Sequence, residues 1–339
     1  MRYRALGQTG LTVSEIGFGA WGIGGTSRGS VSYGPTDDHD SLNALRRAFE
    51  LGVTFYDTAA LYGYGHSEEL IGRAFKAVRS RVVIASKAGL SNQQGAQDFS
   101  PTHVRASLEG SLRRLQTDYL DVYQLHDPSV ASVEHDERML KTLQALQREG
   151  KIRAYGLSVR SPEDGLMAVR RLKAPCLQVN FNMTDQRARD NGLMQLCQRS
   201  RCGLIGRTPL CFGFLTGQYP GAGSFEPGDH RATWPAQQRS RWAGALEVFS
   251  SVLSRSAHTP TQLALRFCLS YDAVSTVIPG MLTAAHVEEN VQASELGPLA
   301  QADRLSIERI AHEHQFWMAG RAPLKAHAQA AVATTEHQP

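Results

Sequence analysis

The sequence predicts an α/β protein folded as a (β/α)8 TIM barrel, with an N-terminal β-hairpin and long loops on its C-terminal face. Three observations carry that expectation. Eight short apolar runs, rich in Val, Ile and Tyr, recur between residues 16 and 278. Helical segments with readable ends separate them, and no shift in composition divides the chain. The runs mostly lack period-two alternation, which is the character of strands buried on both faces of a parallel sheet. A doubly wound sheet is the other architecture open to alternating strands and helices; eight consecutive units favour the barrel.

The hairpin is expected from residues 3–6 and 11–13, which flank a Gly7-Gln8-Thr9-Gly10 turn. The eight strands are expected at residues 16–20, 53–56, 82–86, 120–125, 154–157, 176–180, 203–206 and 275–278. Helix signals begin near Asp37. Ser67 is expected to cap a helix with Leu70, Ile71, Ala74, Phe75 and Val78 on one face. Ser100-Pro101 opens another, with Val104, Leu108, Leu112 and Leu115 at helical spacing. Ser161-Pro162-Glu163-Asp164 supplies a cap, a first-turn proline and two carboxylates at the positive end of the helix dipole. Thr259-Pro260 repeats the device, and Gly52 and Gly150 sit where helices should stop. Residues 217–238, rich in Gly, Pro, Ser and Gln, form a long irregular stretch of the kind that is functional or mobile. Residues 1–320 read as one domain and 321–339 as a frayed, disordered tail with little to pack against.

Composition excludes several classes of function. Of 339 residues, 42% are hydrophobic and 20% charged, which rules out wholesale disorder. Thirty-six Lys and Arg against 32 Asp and Glu leave a net charge of +4 without a basic block, so no nucleic-acid partner is expected. The five cysteines never fall in C-x-x-C spacing and read as reduced core thiols, with neither disulfide nor metal. No run reaches the roughly 18 apolar residues of a membrane span. The N-terminus lacks the apolar core of a signal peptide, so a cytoplasmic protein is expected. Oligomeric state is left open.

Gly17, Gly19 and Gly22 match G-x-G-x-x-G, the phosphate-binding turn of a Rossmann unit. There the last glycine opens a helix, whereas this chain continues I-G-G-T-S-R-G-S-V-S-Y-G-P. The motif is therefore rejected, and the glycines are read as tight turns over a pocket.

In a parallel barrel, chemistry sits where the strands end. Asp57 follows V-T-F-Y, Lys87 follows V-V-I-A-S and His126 follows L-D-V-Y-Q-L, so three successive strands end in charged or titratable groups. Tyr62 lies five residues after Asp57, in a loop able to swing over the same rim. A phenol is a poor proton donor near its ordinary pKa; an adjacent ammonium is expected to lower it. Asp57 would hold Lys87, and His126 would orient a substrate oxygen or relay a proton. Such a group suits protonation of a carbonyl oxygen as hydride arrives at carbon.

At these residues the chain resembles the aldo-keto reductase superfamily, close to the microbial group that includes potassium-channel β subunits. The similarity spans roughly residues 3–295 and rests on G-V-T-F-Y-D-T-A-A-L-Y-G-Y-G-H-S-E-E-L-I-G, S-K-A-G, D-V-Y-Q-L-H, E-G-K-I-R-A-Y-G-L-S, P-L-C-F-G-F-L-T-G-Q-Y and V-I-P-G…E-E-N. The resemblance implies a barrel that binds NADP, with NAD as the alternative, and reduces a small-molecule aldehyde or ketone. It places Tyr62, Asp57, Lys87 and His126 in the catalytic tetrad, with Tyr62 as acid/base. It gives Ser158 and Gln178 to the nicotinamide carboxamide, and Arg207, Thr208, Pro209, Leu210, Leu215 and Gly217 to the ring and pyrophosphate. Gly280, His286, Glu289 and Asn290 fall at the adenosine end. Trp21, Tyr62 and Phe212 are candidate pocket walls, with Arg28 and Arg231 in loops that face the opening or solvent. Three positions depart from the family pattern: Val159 replaces an asparagine, Arg207 a stacking aromatic residue, and His286 a basic clamp for the 2′-phosphate. An NAD-linked sugar or alcohol dehydrogenase working oxidatively, or a cofactor-binding redox sensor like the channel β subunits, are the alternative readings.

Overall fold

The computed structural model describes residues 1–318 except 27, 28, 93, 220, 222 and 257. Arg28 and the tail expected over 321–339 lie outside the described residues. Eight strands form one parallel sheet: β1 (Phe18–Gly19), β2 (Phe55–Asp57), β3 (Val83–Ala88), β4 (Leu120–His126), β5 (Ile152–Ser158), β6 (Cys176–Asn180), β7 (Gly203–Arg207) and β8 (Val274–Ile278). Each pairs with its successor in sequence. Closure comes from Gly17 N–H donating to Val277 O at 2.8 Å and Gly19 N–H to Pro279 O at 2.9 Å, which stitch the β1 segment to β8. Glycine is required there, because a Cβ on Gly19 would lie 2.5 Å from Ile278 O. Residues 22–24 form a 3₁₀ turn rather than the helix of a dinucleotide fold, in line with the rejected motif.

The helices α1 (Asp38–Glu50), α2 (His66–Phe75), α3 (Pro101–Leu115), α4 (Arg138–Arg148), α5 (Pro162–Arg170), α6 (Leu193–Ser200), α7 (Pro260–Leu269) and α8 (Ala284–Leu296) follow the strands in turn, and α9 (Gln301–Glu313) comes last. Their buried stripes, carrying Leu45, Leu70, Leu108, Leu143, Val169, Leu193, Leu265 and Val291, pack on the outside of the sheet. A second cluster fills the inside of the cylinder, where Phe55, Val83, Val122, Ala154, Ile205 and Ile278 meet Leu6, Leu11 and Val13 of the hairpin. The hairpin pairs Tyr3–Ala5 with Thr12–Ser14 and stoppers the end of the barrel opposite the strand C-termini. Hydrophobic burial thus leaves a single open rim.

Helix starts at Asp37, Ser100, Ser161 and Thr259 match the sequence reading: each side chain accepts from a backbone N–H of the first turn, and Gln262 completes a capping box with Thr259. Ser67 differs. Helix α2 begins at His66 from Gly65, which has φ of 96°. The Ser67 hydroxyl lies inside the helix and donates to Ala20 O at 2.8 Å, while bonding the Thr58 hydroxyl at 2.8 Å. It ties the β2 loop to the β1 loop instead of capping. Val78 also falls outside α2, in a 3₁₀ turn over Lys76–Arg81. The stretch 217–238 is less irregular than its composition implies: His230–Thr233 forms a 3₁₀ turn and a helix starts at Ala236. Aromatic packing among Phe214, Tyr219, Phe225, Trp234 and Trp242 holds it. Its far side is clasped to the β1 loop, where His230 N–H donates to Ser32 O at 2.7 Å.

Arg231 is buried rather than solvated. It pairs with Asp229 at 2.6 Å and lies 4.3 Å and 4.4 Å over the rings of Tyr219 and Phe225. Ring stacking and a bidentate carboxylate offset the cost of burying that charge. All five cysteines are buried and unbridged. Among the described residues no helix is long and apolar enough to cross a membrane.

Candidate active site

The strand ends bring the expected residues together. Asp57 closes β2, Lys87 lies in β3, His126 closes β4, Ser158 closes β5 and Gln178 lies in β6, while Tyr62 begins a 3₁₀ turn over Tyr62–Gly65. Lys87, 1% exposed, uses all three ammonium protons: it donates to Asp57 Oδ1 at 2.5 Å, Thr58 O at 2.8 Å and Tyr62 Oη at 3.1 Å. The other carboxylate oxygen, Asp57 Oδ2, accepts from Gln178 Nε2 at 2.7 Å and Gln124 Nε2 at 3.2 Å. A buried ion pair is tolerable only with this degree of satisfaction.

Burial opposes the charge on Lys87, but Asp57 and Tyr62 together hold its pKa above the ordinary lysine value. It is therefore a permanent cation at physiological pH. For Tyr62, burial is the strongest influence and pushes the phenol up; Lys87 pulls it down and Asp57 pushes it up again. The net direction is upward, contrary to the sequence expectation of a lowered phenol pKa. Burial outweighs the neighbouring cation, and the hydroxyl keeps its proton. Its oxygen accepts from Lys87, so the O–H is left to donate toward the rim.

His126 stands across from this hydroxyl, its ring centroid 6.0 Å from that of Tyr62 at an interplanar angle of 81°. Burial lowers its pKa to about 3; Asp127 opposes this, and Lys87, Arg207 and Arg160 add to it. The imidazole is therefore neutral across the physiological range, and neither ring nitrogen hydrogen-bonds another described residue. Linkage gives a testable sign. Between about pH 6.5 and pH 3 the unfolded chain binds a proton at this histidine that the folded chain refuses, so stability falls on acidification by about 1.4 kcal/mol per unit from this group. Thermal melts of His126→Gln against the parent should show a shallower acid-side loss, while a parallel dependence would contradict the buried neutral imidazole.

Trp21 contributes one wall, its ring 6.4 Å from that of Tyr62 and 4.9 Å from that of His230. Phe212 stacks on His230 at 5.5 Å and belongs to the aromatic cluster behind that wall. Gln124 was missed by sequence reasoning. It lies two residues before His126, and alternation along the strand puts both on the inner face.

The residues expected to hold a dinucleotide lie along the β5–β8 rim. Ser158 Oγ donates to Gln178 Oε1 at 3.4 Å, so a hydroxyl and an amide oxygen stand side by side. The amide nitrogen of Gln178 is committed to Asp57. Arg207 donates to Val159 O at 3.0 Å, so its guanidinium sits over the position where the family asparagine is replaced. Thr208 (φ 52°), Cys211 (φ 47°) and Phe212 (φ 57°) are left-handed, strain that concentrates at ligand-binding loops. Thr208 is held by Asn180 and Asn182. Leu210 and Leu215 are buried anchors of this loop, Pro209 is buried with them, and Gly217 is exposed. At the positions expected for the adenosine end, Gly280 is exposed, Asn290 is buried and Glu289 accepts from Thr259 Oγ1 at 2.8 Å. Burial depresses the pKa of His286, whose Nδ1 accepts from Leu282 N–H at 3.3 Å. Two surface grooves, of about 290 and 420 Å³, lie beside α9, away from all these residues.

Comparison with known proteins agrees with this geometry. The sequence pattern of the Aldo/keto reductase family matches residues 15–312. The chain is 33% identical over 297 residues to L-galactose dehydrogenase of Arabidopsis thaliana, covering 86% of this chain and 87% of that protein. It is 33% identical over 301 residues to aldo-keto reductase YhdN of Bacillus subtilis, with 84% and 87% coverage. Among solved structures, the holo form of aldo-keto reductase AKR11C1 from Bacillus halodurans superposes with a TM-score of 0.74 at 28% identity, covering 91% of this chain and 96% of that one. On a closed eight-stranded barrel whose rim gathers Asp57, Tyr62, Lys87 and His126, that extent of likeness has one meaning: the chain belongs to the aldo/keto reductase family of oxidoreductases.

Proposed function

We propose that this protein reduces an aldehyde or ketone to the alcohol with a reduced nicotinamide cofactor, and that Tyr62 supplies the proton. The observation that carries the reading is the three-way donation of Lys87, which leaves a protonated Tyr62 hydroxyl pointing at the rim opposite a neutral His126. A bound nicotinamide would furnish hydride to the carbonyl carbon. The neutral imidazole of His126 donates to the carbonyl oxygen and sets its direction. Tyr62 then passes its proton to that oxygen as negative charge grows there, and the adjacent ammonium steadies the phenolate left behind. Lys87 and Asp57 do not exchange protons; they hold the phenol and stabilise its charged product. A retained phenol proton favours the reductive direction, since oxidation needs the phenolate first.

Ser158 and the Oε1 of Gln178 would hold the carboxamide, Arg207 would stack beside the ring, and the loop from Thr208 to Gly217 would line the pyrophosphate with backbone amides. The resemblance makes NADP the expected cofactor with NAD as the alternative, but a 2′-phosphate is best held by Arg or Lys, and here it would meet His286, whose pKa burial depresses. His286→Arg should therefore tighten NADPH by about fivefold or more relative to NADH, by the strength of a charge-assisted hydrogen bond. Quenching of intrinsic tryptophan fluorescence measures both affinities. An unchanged ratio would place the 2′ position elsewhere.

The likeness to a protein named L-galactose dehydrogenase favours a second reading, NAD-linked oxidation of a sugar or alcohol. Initial rates with NADPH and NADH on an aldehyde panel, and with NAD and NADP on the matching alcohols, separate the two. Aldehyde turnover above about 1 s⁻¹, an ordinary enzymatic rate, supports reduction. Turnover confined to alcohols with NAD would replace it.

A further inference from the structure

Tyr62 meets Lys87 from a turn that does not hold itself. The three residues after it, Gly63 (φ 61°), Tyr64 (φ 49°) and Gly65 (φ 96°), are all left-handed, and for a tyrosine that conformation is strained. Neighbours on two sides hold the turn. From the β1 loop, Gly24 approaches so closely that a Cβ there would meet Gly63 N and Tyr62 C at 2.9 Å. From α3, the Arg114 side chain runs against Gly65, where a Cβ would lie 2.5 Å from Arg114 Cδ and 2.7 Å from Nε. A long arginine side chain is a firm floor only when its far end is fixed. Glu68, fully buried in the first turn of α2, fixes it: Arg114 Nε donates to Glu68 Oε2 at 2.7 Å. The other oxygen, Oε1, accepts from Ser86 Oγ at 2.5 Å, and Ser86 directly precedes Lys87 in β3. One carboxylate thus joins the floor of the Tyr62 turn to the strand that carries Lys87.

We infer that Glu68 is a positioning residue for proton transfer: through Arg114 and Ser86 it holds the Tyr62 turn in register with Lys87. Both of its oxygens are engaged by those two side chains, so it acts on the chemistry only through them. Of the three bonds that Lys87 donates, the one to Tyr62 is the longest, at 3.1 Å, and its acceptor is carried on the strained turn. A phenol that drifts loses its line to the substrate oxygen and the cation that stabilises its phenolate together. A pair serving only to join α2 to α3 would need neither a second oxygen bound to β3 nor a glycine opened over the arginine. A buried ion pair adds little stability over apolar packing of the same volume, so fixed geometry is the gain left to it.

This inference rests on Tyr62 as the proton donor. Glu68→Ala releases Arg114 and should lower kcat for aldehyde reduction by about 10²-fold, the cost of a misplacement near 1 Å. KM for aldehyde and cofactor should stay unchanged, because the lost interaction is felt only in the transition state. Glu68→Gln keeps the shape and an acceptor for Arg114, and should recover most of the rate. The decisive measurement repeats Glu68→Ala on Tyr62→Phe. There it should leave the residual single-turnover rate where it was, since a residue acting through the hydroxyl has nothing left to place. An equal loss in both backgrounds, a loss that appears in KM rather than kcat, or a folded Glu68→Ala with the parent's kcat overturns the assignment. Should Glu68→Ala fail to fold by circular dichroism, Arg114→Lys carries the same comparison. It keeps the stem under Gly65 and the charge but loses the Nε bond, and should lower kcat by about tenfold, the effect of one charge-assisted hydrogen bond; the same three outcomes overturn the assignment. A Tyr62→Phe enzyme that keeps the parent's rate would instead strike the proton-donor reading itself.

Discussion

Tyr62→Phe should lower kcat for aldehyde reduction by about 10²–10⁴-fold, the range a positioned general acid contributes, while cofactor affinity stays within about twofold of the parent, inside the uncertainty of a small contact change. The substitution removes one oxygen and keeps the ring, its edge-on contact with His126 and its packing against Trp21. Lys87 retains Asp57 and the Thr58 carbonyl as acceptors, so the ion pair survives. Loss of rate without loss of cofactor binding is the signature of a group that acts only as charge develops on the substrate oxygen. Steady-state rates and a fluorescence titration on one preparation decide the matter. A variant that turns over normally would end the role assigned to the phenol.

Lys87→Met should cost both activity and stability. Asp57 is 2% exposed, and its Oδ1 has Lys87 as hydrogen-bond donor. Removing the cation leaves a buried carboxylate paired only with the two glutamine amides on Oδ2, and breaking a buried ion pair in this way costs about 3–5 kcal/mol. Replacing both members, as Lys87→Met with Asp57→Leu, should recover much of that stability because no orphaned charge remains, yet it should recover no turnover. Denaturant melts and kinetics on the single and double variants separate the two effects. Equal destabilisation in both would mean that shape, rather than the orphaned charge, governs the loss.

The legible part of this protein is the part written in local periodicity. The eight apolar runs and the caps at Asp37, Ser100, Ser161 and Thr259 are short-range signals, and their structural counterparts begin within a few residues of the expected places. Asp57, Lys87 and His126 could be read because strand ends in a parallel barrel share one rim, so adjacency in the strand order converts directly into adjacency in space. Ser67 was misread because a serine before an apolar stripe looks the same whether it caps its own helix or reaches Ala20, 47 positions away in the chain. Arg231 was misread for a related cause: its partners Tyr219 and Phe225 surround it only once the long loop has folded back on itself.

The eight-unit barrel, the hairpin and the four residues of the rim were legible in the unfolded chain, since the succession of strand and helix, capping and strand order are properties of neighbouring residues. Tertiary structure alone decided the state in which those residues sit. It brought Gln124 and Gln178 onto one oxygen of Asp57, set two guanidiniums about Asp127, and turned the Tyr62 phenol toward retaining its proton. Those outcomes depend on how much water is excluded and on which distant dipoles converge. Exclusion of water is a collective result of packing the whole cylinder, so it appears only when the chain has closed.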